Sequence, residues 1–294
     1  MRADVLSRLR CPVCADPLDA ADRSVRCPRG HSFDLARQGY VNLLTGQTRH
    51  RGDSAEMVAA REEFLLAGHY DPITGLVAGA AARELAGDGG AAYPEPAGAA
   101  GAAYPDLVVD AGAGTGRYLG AVLDAAPAAV GLALDVSKPA LRRAARAHPR
   151  ASAALADTWR GLPVADRAAR LVLNVFAPRN GPEFHRVLRP DGTLLVLTPA
   201  ADHLGALVDR LRLLRVDPDK ADRTADRLAD RFDLVRRDPH RYDLDLPREA
   251  VGALVGMGPS AWHTDPEALA AGLRRLPDRV PVTVSVELAS YRPR

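Results

Sequence analysis

Val109-Asp110-Ala111-Gly112-Ala113-Gly114-Thr115-Gly116-Arg117 places glycines at alternate positions directly after an apolar run that ends in an acid. Glycines there let the backbone turn tightly and come close to a ligand, at the end of a strand where open α/β sheets bind their ligands. The dinucleotide fingerprint requires glycines at the first, third and sixth places, and the sixth place counted from Gly112 is Arg117. A pyrophosphate-binding turn is therefore not the expectation. Outward from this stretch, apolar runs at 107–110, 130–135, 151–156, 171–176 and 193–198 alternate with helical patterns. That alternation predicts an α/β fold, a mostly parallel Rossmann-like sheet covered on both faces. A segment at 233–243 and the alternating Val280, Val282, Val284, Val286 and Leu288 predict a closing antiparallel pair at the sheet edge.

The acid followed by alternating glycines resembles the first motif of the class I S-adenosylmethionine-dependent methyltransferases, whose cofactor carries an amino-acid tail and an adenosine but no phosphates. On that reading Asp110, Gly112 and Gly114 form the cofactor turn. Asp135 ends the second strand 25 residues after Asp110, a separation that suits one helix and one strand, and sits where an acid accepts the ribose hydroxyls. Asp157 and Thr158 follow the third strand and are placed to frame the adenine. The bland alternatives are a plain tight turn for the glycines and a helix cap before Lys138-Pro139 for Asp135.

All three cysteines of the chain fall in its first tenth, as Cys11-Pro12-Val13-Cys14 and, after twelve intervening residues, Cys27-Pro28-Arg29-Gly30-His31. Three thiolates and one imidazole fill a tetrahedral zinc with no open position, which makes the expected metal structural, a source of folding energy and not of Lewis acidity. His31 is the preferred fourth ligand, because there is no fourth cysteine and His50 is remote. An odd, clustered cysteine set also argues for a reducing compartment and against a disulfide framework.

At 294 residues, with 47% apolar and 26% charged side chains, the chain can bury one full core and carry a small appended unit. Four regions are expected: a zinc-binding module at 1–48, a helical linker at 49–86, a flexible insertion at 87–105 and a catalytic domain at 106–294. In the insertion 15 of 19 residues are Gly, Ala or Pro. Net charge is only +2, but residues 1–51 hold nine Arg against five Asp, so the surplus sits on the module. No stretch approaches the roughly 20 apolar residues of a membrane helix and no signal-peptide pattern opens the sequence, so a cytoplasmic protein is expected, with no membrane partner.

Taken with Gly39-Tyr40-Val41-Asn42-Leu43-Leu44, Gly52-Asp53-Ser54-Ala55-Glu56-Met57, Gly68-His69-Tyr70, Leu134-Asp135-Val136-Ser137-Lys138, Thr198-Pro199 and Met257-Gly258-Pro259-Ser260-Ala261-Trp262, the cysteine and glycine motifs resemble the bacterial 23S ribosomal RNA (guanine-N1) methyltransferases. That family includes the tylosin-type macrolide-resistance enzymes, and the likeness runs nearly end to end, 87–105 excepted. It implies zinc on Cys11, Cys14, Cys27 and His31, and cofactor contacts at Tyr70, Thr115, Gly116 and His203. It also implies a target guanine in hairpin 35, domain II, of 23S ribosomal RNA, at nucleotide 748 or its neighbour 745, and a homodimer. Some relatives carry Cys and Glu where this chain has Ala113 and Thr115, so backbone contacts are what the likeness carries over there.

Guanine N1 lies on the Watson-Crick edge, so the base must be presented unpaired or swung out, and its proton must leave. Asp53, Glu56, Asn174 and Arg179 are the candidate catalytic groups, the first two equally readable as a helix cap. Phe176 and Trp262 are candidates to stack on the base or, by default, to fill the core. Two other readings compete: a small-molecule methyltransferase with a zinc lid, and a non-catalytic zinc-dependent RNA-binding factor.

Overall fold

The computed structural model describes residues 1–46, 52–86, 104–211, 213–214, 228–262 and 265–294. After a one-turn helix α1 (Ala3–Leu6) come four short strands, β1 (Asp19–Ala21), β2 (Ser24–Arg26), β3 (Ser32–Asp34) and β4 (Tyr40–Asn42). Helices α2 (Ala55–Leu66) and α3 (Asp71–Ala86) follow. Strand-helix alternation then runs β5 (Leu107–Ala111), α4 (Arg117–Ala125), β6 (Val130–Asp135), α5 (Lys138–Ala144), β7 (Ala151–Leu155), β8 (Ala169–Val175), α6 (Gly181–Val187), β9 (Leu188–Pro199) and α7 (Gly205–Leu211). The described chain closes with β10 (Phe232–Pro247), α8 (Arg248–Gly256), a 3-10 turn (Pro259–Trp262), α9 (Pro266–Arg274) and β11 (Arg279–Pro293).

Eight strands make the main sheet, in the order β10-β11-β9-β8-β5-β6-β7-β4. The chain leaves β5 toward β6 and β7 on one side and returns to β8 and β9 on the other, so the strand order reverses beside β5. Such a switch point opens a crevice at the carboxyl ends of the strands. β10 and β11 pair antiparallel at one edge, as the alternating valines require, and β11 is antiparallel to β9. β9 begins at Leu188, not at 193, because α6 runs straight into it.

Each face of the sheet buries its own apolar layer. On one, Val108, Ala133, Leu171 and Leu195 pack with Phe64, Ile73 and Val77 of α2 and α3 and with Leu119 and Leu123 of α4. On the other, Val109, Leu132, Val172 and Val196 pack with Phe184 of α6 and with Val5, Leu9, Leu18 and Val25 of the N-terminal residues.

Two of the expected regions thus take a more integrated form than their sequence suggests. Helices α2 and α3 are a wall of the main layer: Phe64, Ile73 and Val77 are at most 1% exposed, and burying such side chains is worth roughly 1.5–3 kcal/mol each. Within 1–48, β4 pairs in parallel with β7, Leu43 donates its amide to Leu155, and Arg10 donates its amide to Pro163. Of the 87–105 insertion, 87–103 lie outside the described residues; its last two anchor just beyond the first helix, where buried Arg8 stacks over the Tyr104 ring at 5.3 Å and donates to the Pro105 carbonyl.

Candidate cofactor cleft and metal centre

The turn after β5 works by backbone geometry. Gly112 has φ +88° and Gly114 φ +54°, both left-handed, where a side chain is strained. A Cβ on Gly112 would also stand 2.5 Å from the Ala177 Cβ, so the loop after β8 closes directly over the turn. Asp110 lies beneath it, 1% exposed, and neither of its oxygens has a hydrogen-bond partner. Burial, aided by the nearby Asp135, raises its pKa to about 7. A buried carboxylate without donors is costly unless a cationic or donor group arrives to meet it.

Asp135 is held on both oxygens: Gly114 donates its amide at 2.8 Å to one and Ser137 at 2.8 Å to the other. The carboxylate is therefore oriented, with lone pairs remaining for further donors. Burial pushes its pKa up while the two amide bonds pull it down, with a net rise. Ser137 also donates to the Asp53 carbonyl at 2.7 Å, and Gly52 packs so tightly on Ser137 that a Cβ would meet its backbone at 2.8 Å. Residues 52–53 are thereby pinned over the start of α5, which carries the Asp53 side chain to the cleft.

The cleft spans about 670 Å³ of non-atom space, part of it open solvent, and is lined by Gly52, Asp53, Arg61, Gly112, Asp135, Val136, Asp157, Thr158, Trp159, Phe176, Ala177 and Pro178. Asp157, which accepts the Trp159 amide at 3.0 Å, and Thr158 stand on the wall after β7.

Tyr70 and His203, 133 residues apart in sequence, meet at 3.5 Å between the hydroxyl and Nε2. His203 Nδ1 lies 2.9 Å from the Ser285 carbonyl and 3.3 Å from its amide; the shorter contact assigns the proton to Nδ1 and leaves Nε2 as acceptor. Burial lowers its pKa to about 4, so the imidazole is neutral at neutral pH. The Phe176 ring lies 6.3 Å from that of Tyr70 and 6.1 Å from that of His203. Phe176 is 40% exposed with φ +52°, an uncommon conformation for a bulky residue and of the kind retained at functional sites. Its expected core role is corrected: it faces the cleft because its backbone turns it out of the sheet. Trp262, 43% exposed, is likewise no core residue. Thr115 and Gly116 complete the glycine turn, Gly116 donating its amide to Ala113 at 2.9 Å.

The four candidate catalytic groups do not converge. Asp53 lines the cleft but pairs with Arg61 at 2.6 Å. Glu56 is exposed in the first turn of α2, where Ser54 caps Met57 at 3.2 Å; hydrogen bonding to Ser54 holds the Glu56 carboxyl low. Asn174, fully buried, donates to the Ala111 and Pro178 carbonyls at 3.2 and 2.8 Å and so ties the two loops of the cleft together. Arg179 is half-buried in the loop after β8. The residue that sequence reasoning missed is Arg61. Helical spacing says nothing of it; the quoted Met257–Trp262 motif was the only pointer, since Arg61 donates to the Met257 carbonyl at 2.8 Å.

In the N-terminal module, one ligand atom each from Cys11, Cys14, Cys27 and His31 lies within 4.8 Å of the others. Sγ of Cys27 is 3.3 Å and Sγ of Cys11 3.6 Å from His31 Nδ1, and the Cys14 and Cys27 sulfurs are 3.6 Å apart. Zinc–sulfur bonds of about 2.3 Å imply tetrahedral edges of roughly 3.7 Å, so the donor set fits zinc. Two tight turns hold the cluster: Cys11 accepts the Ala15 amide at 2.8 Å, and Cys27 accepts the Gly30 amide at 2.9 Å while donating its own to His31 at 3.1 Å.

Residues 9–51 match the family described as "RlmA, N-terminal", a zinc ribbon. Over the whole of both chains, this one is 63% identical to a Micromonospora griseorubida protein named among the 23S rRNA (guanine-N(1)-)-methyltransferases. It is 52% identical, over 100% of this chain and 99% of the other, to the 23S rRNA (guanine(748)-N(1))-methyltransferase of Streptomyces fradiae. A third relative, YxjB of Bacillus subtilis, is 31% identical over 87% of each chain. With two relatives matched from end to end above half identity, this chain belongs to the 23S ribosomal RNA (guanine-N1) methyltransferase family.

Proposed function

We infer that the protein transfers a methyl group from S-adenosylmethionine to N1 of a guanine in 23S ribosomal RNA, at nucleotide 748 in hairpin 35, with nucleotide 745 as the neighbouring alternative. The observation that carries the reading is the full-length 52% identity to the S. fradiae enzyme named for nucleotide 748, in a chain whose glycine turn and acids form an open cleft. Kinship with tylosin-type resistance enzymes, stated above as a resemblance, extends the reading to macrolide resistance.

Adenosylmethionine supplies an electrophilic methyl group on a sulfonium. Asp110 is the residue to meet the cofactor's ammonium, since its partnerless oxygens need a cation. Asp135, oriented by two amides, is the acceptor for the ribose hydroxyls, and Asp157 with Thr158 frames the adenine. Gly112, Gly114, Thr115 and Gly116 let the cofactor approach the backbone, and Tyr70 and His203 back Phe176 at the reacting end. Phe176 is the platform for the target base, an exposed ring held against the sheet by its neighbours. Asp53 is the acid at the cleft for the N1 proton, and accepts it when its pair with Arg61 opens. Glu56, Asn174 and Arg179 take supporting parts: a helix start, a tie between loops and a cation for RNA phosphate. Zinc on Cys11, Cys14, Cys27 and His31 holds the 1–48 module, whose arginine surplus suits RNA. The 49–86 helices and the 106–294 domain form the catalytic layer, and the protein acts as a homodimer in the cytoplasm; no helix among the described residues is long and apolar enough to cross a membrane.

Methylation of guanine N1 blocks Watson-Crick pairing, so reverse transcription stops one nucleotide before the modified base. Unmodified 23S RNA treated with enzyme and cofactor is expected to give that stop for nucleotide 748, with the mass of a single methyl group on the fragment. A stop for 745 instead reassigns the nucleotide, and methylation confined to small molecules overturns the reading.

A further inference from the structure

We propose that Arg61 binds the carboxylate of the cofactor's methionyl group. The proposal rests on the adenosylmethionine reading above and adds a residue that the glycine motif, the acids and the family resemblance leave unassigned.

The charges of the cleft carry the argument. Among its described lining residues stand three carboxylates, Asp53, Asp135 and Asp157, and one cation, Arg61. Adenosylmethionine has two positive centres, sulfonium and ammonium, and one negative centre, the carboxylate. A wall of acids suits the positive centres but repels the carboxylate, which requires a cation within the same cleft. Arg61 is placed for it. Its side chain crosses the glycine turn so closely that a Cβ on Gly114 would lie 3.0 Å from Nη1 and 3.7 Å from Cδ. Gly114 therefore makes room for a guanidinium as well as permitting a left-handed turn.

The guanidinium is also held in place. Nη2 donates to the Met257 carbonyl at 2.8 Å, Nη1 pairs with Asp53 at 2.6 Å, and the side chain is 27% exposed. These contacts account for two of its five N–H donors. A fork fixed from behind retains donors for a second carboxylate, with little rotamer entropy left to lose. The ammonium and carboxylate of the cofactor share one carbon, so their binding groups must be neighbours. Arg61 crosses the turn at Gly114, four residues after Asp110, so both groups belong to the turn that leaves β5.

A tie between α2 and the Met257 segment, with no ligand role, would explain the same contacts, so the test separates the two. Isothermal titration calorimetry measures binding of adenosylmethionine and of its decarboxylated analogue to the full-length protein. Wild type is expected to favour the carboxylated ligand by about 10- to 100-fold, the range of one charge-assisted contact. Arg61→Met should remove that preference, weakening adenosylmethionine by the same factor while the analogue changes by less than about threefold. Equal weakening of both ligands, or a preference that survives in Arg61→Met, overturns the proposal. If Arg61→Met does not fold, Arg61→Lys keeps the charge and loses the fork. Its preference should shrink several-fold, and an unchanged preference is equally fatal. Wild-type protein that binds neither ligand defeats the cofactor reading itself, a result distinct from the others.

Discussion

The Cys/His cluster and the cleft beside Asp110 treat their polar atoms in opposite ways. In the cluster, four donor atoms crowd within 4.8 Å on segments made of short strands and turns, with Val5, Leu9, Leu18 and Val25 as the local apolar support. Beneath the cleft's glycine turn, Asp110 has no hydrogen-bond partner, yet it sits in a strand whose five residues are all buried and which pairs on both sides. A thin region that gathers its ligands needs the metal to stay folded. A thick parallel sheet can hold one unsatisfied carboxylate in waiting, because its packing supports the strain.

Metal removal should give the largest contrast. Structural zinc is worth on the order of 10 kcal/mol in small domains, so chelation, or Cys14→Ser, is expected to expose the amides of residues 1–46 to hydrogen exchange while β5, β6 and β8 stay protected. Simultaneous loss of protection in both would break the comparison and make the β4–β7 pairing the joint of a single cooperative unit. Full metal stoichiometry in Cys14→Ser would remove Cys14 from the ligand set.

The cleft should respond in binding and not in folding. Asp135→Ala removes the acceptor that Gly114 and Ser137 orient, and cofactor affinity in calorimetry is expected to fall by about 100-fold or more, as for loss of charge-assisted bonds. Its metal content and exchange protection should match wild type. Retained affinity would show that the sugar is gripped elsewhere.

The smallest effect is a pH dependence confined to the cleft. Asp110 in the folded protein has its pKa raised from 3.8 to about 7. Between those values the folded state holds a proton that the unfolded state has released, so Asp110 makes stability decline as pH rises from about 4 to 7 and adds no slope above. Binding of an ammonium needs the ionised form, so cofactor affinity should rise by up to about tenfold per pH unit below 7 and then level off. Asp110→Asn is expected to flatten this part of both profiles. His203, lowered to about 4, acts in the opposite sense: the stability it contributes is complete above pH 6.5 and is lost as pH falls toward 4. A profile with no change of slope near 7 in wild type would place Asp110 in contact with donors after all.

Much of this was legible in one dimension because it depends on local period or spacing. The alternation of apolar runs announced the parallel sheet, and Val280 to Leu288 announced the antiparallel edge, since strands repeat every two residues wherever they lie. Cys11, Cys14, Cys27 and His31 could be read as a ligand set because two short turns bring them together. Asp110 and Asp135 could be placed because each lies at the carboxyl end of a strand, in a sheet whose crevice position is general. Tyr70 and His203 came only from family resemblance: no periodicity relates residues 133 positions apart.

What tertiary structure decided is which faces meet. The helices at 49–86 looked like a connector, and became a cleft wall because Phe64, Ile73 and Val77 bury against the sheet and turn Arg61 inward. The same docking paired Asp53 with Arg61, and the β8 loop rotated Phe176 out of the core at φ +52°. The amino-acid order specified the ligand-binding chemistry, because a carboxylate, a thiolate or a glycine carries its properties with it. The placing of Arg61 at Gly114 awaited the fold, since the energy that brings them together is spread over apolar contacts remote from both.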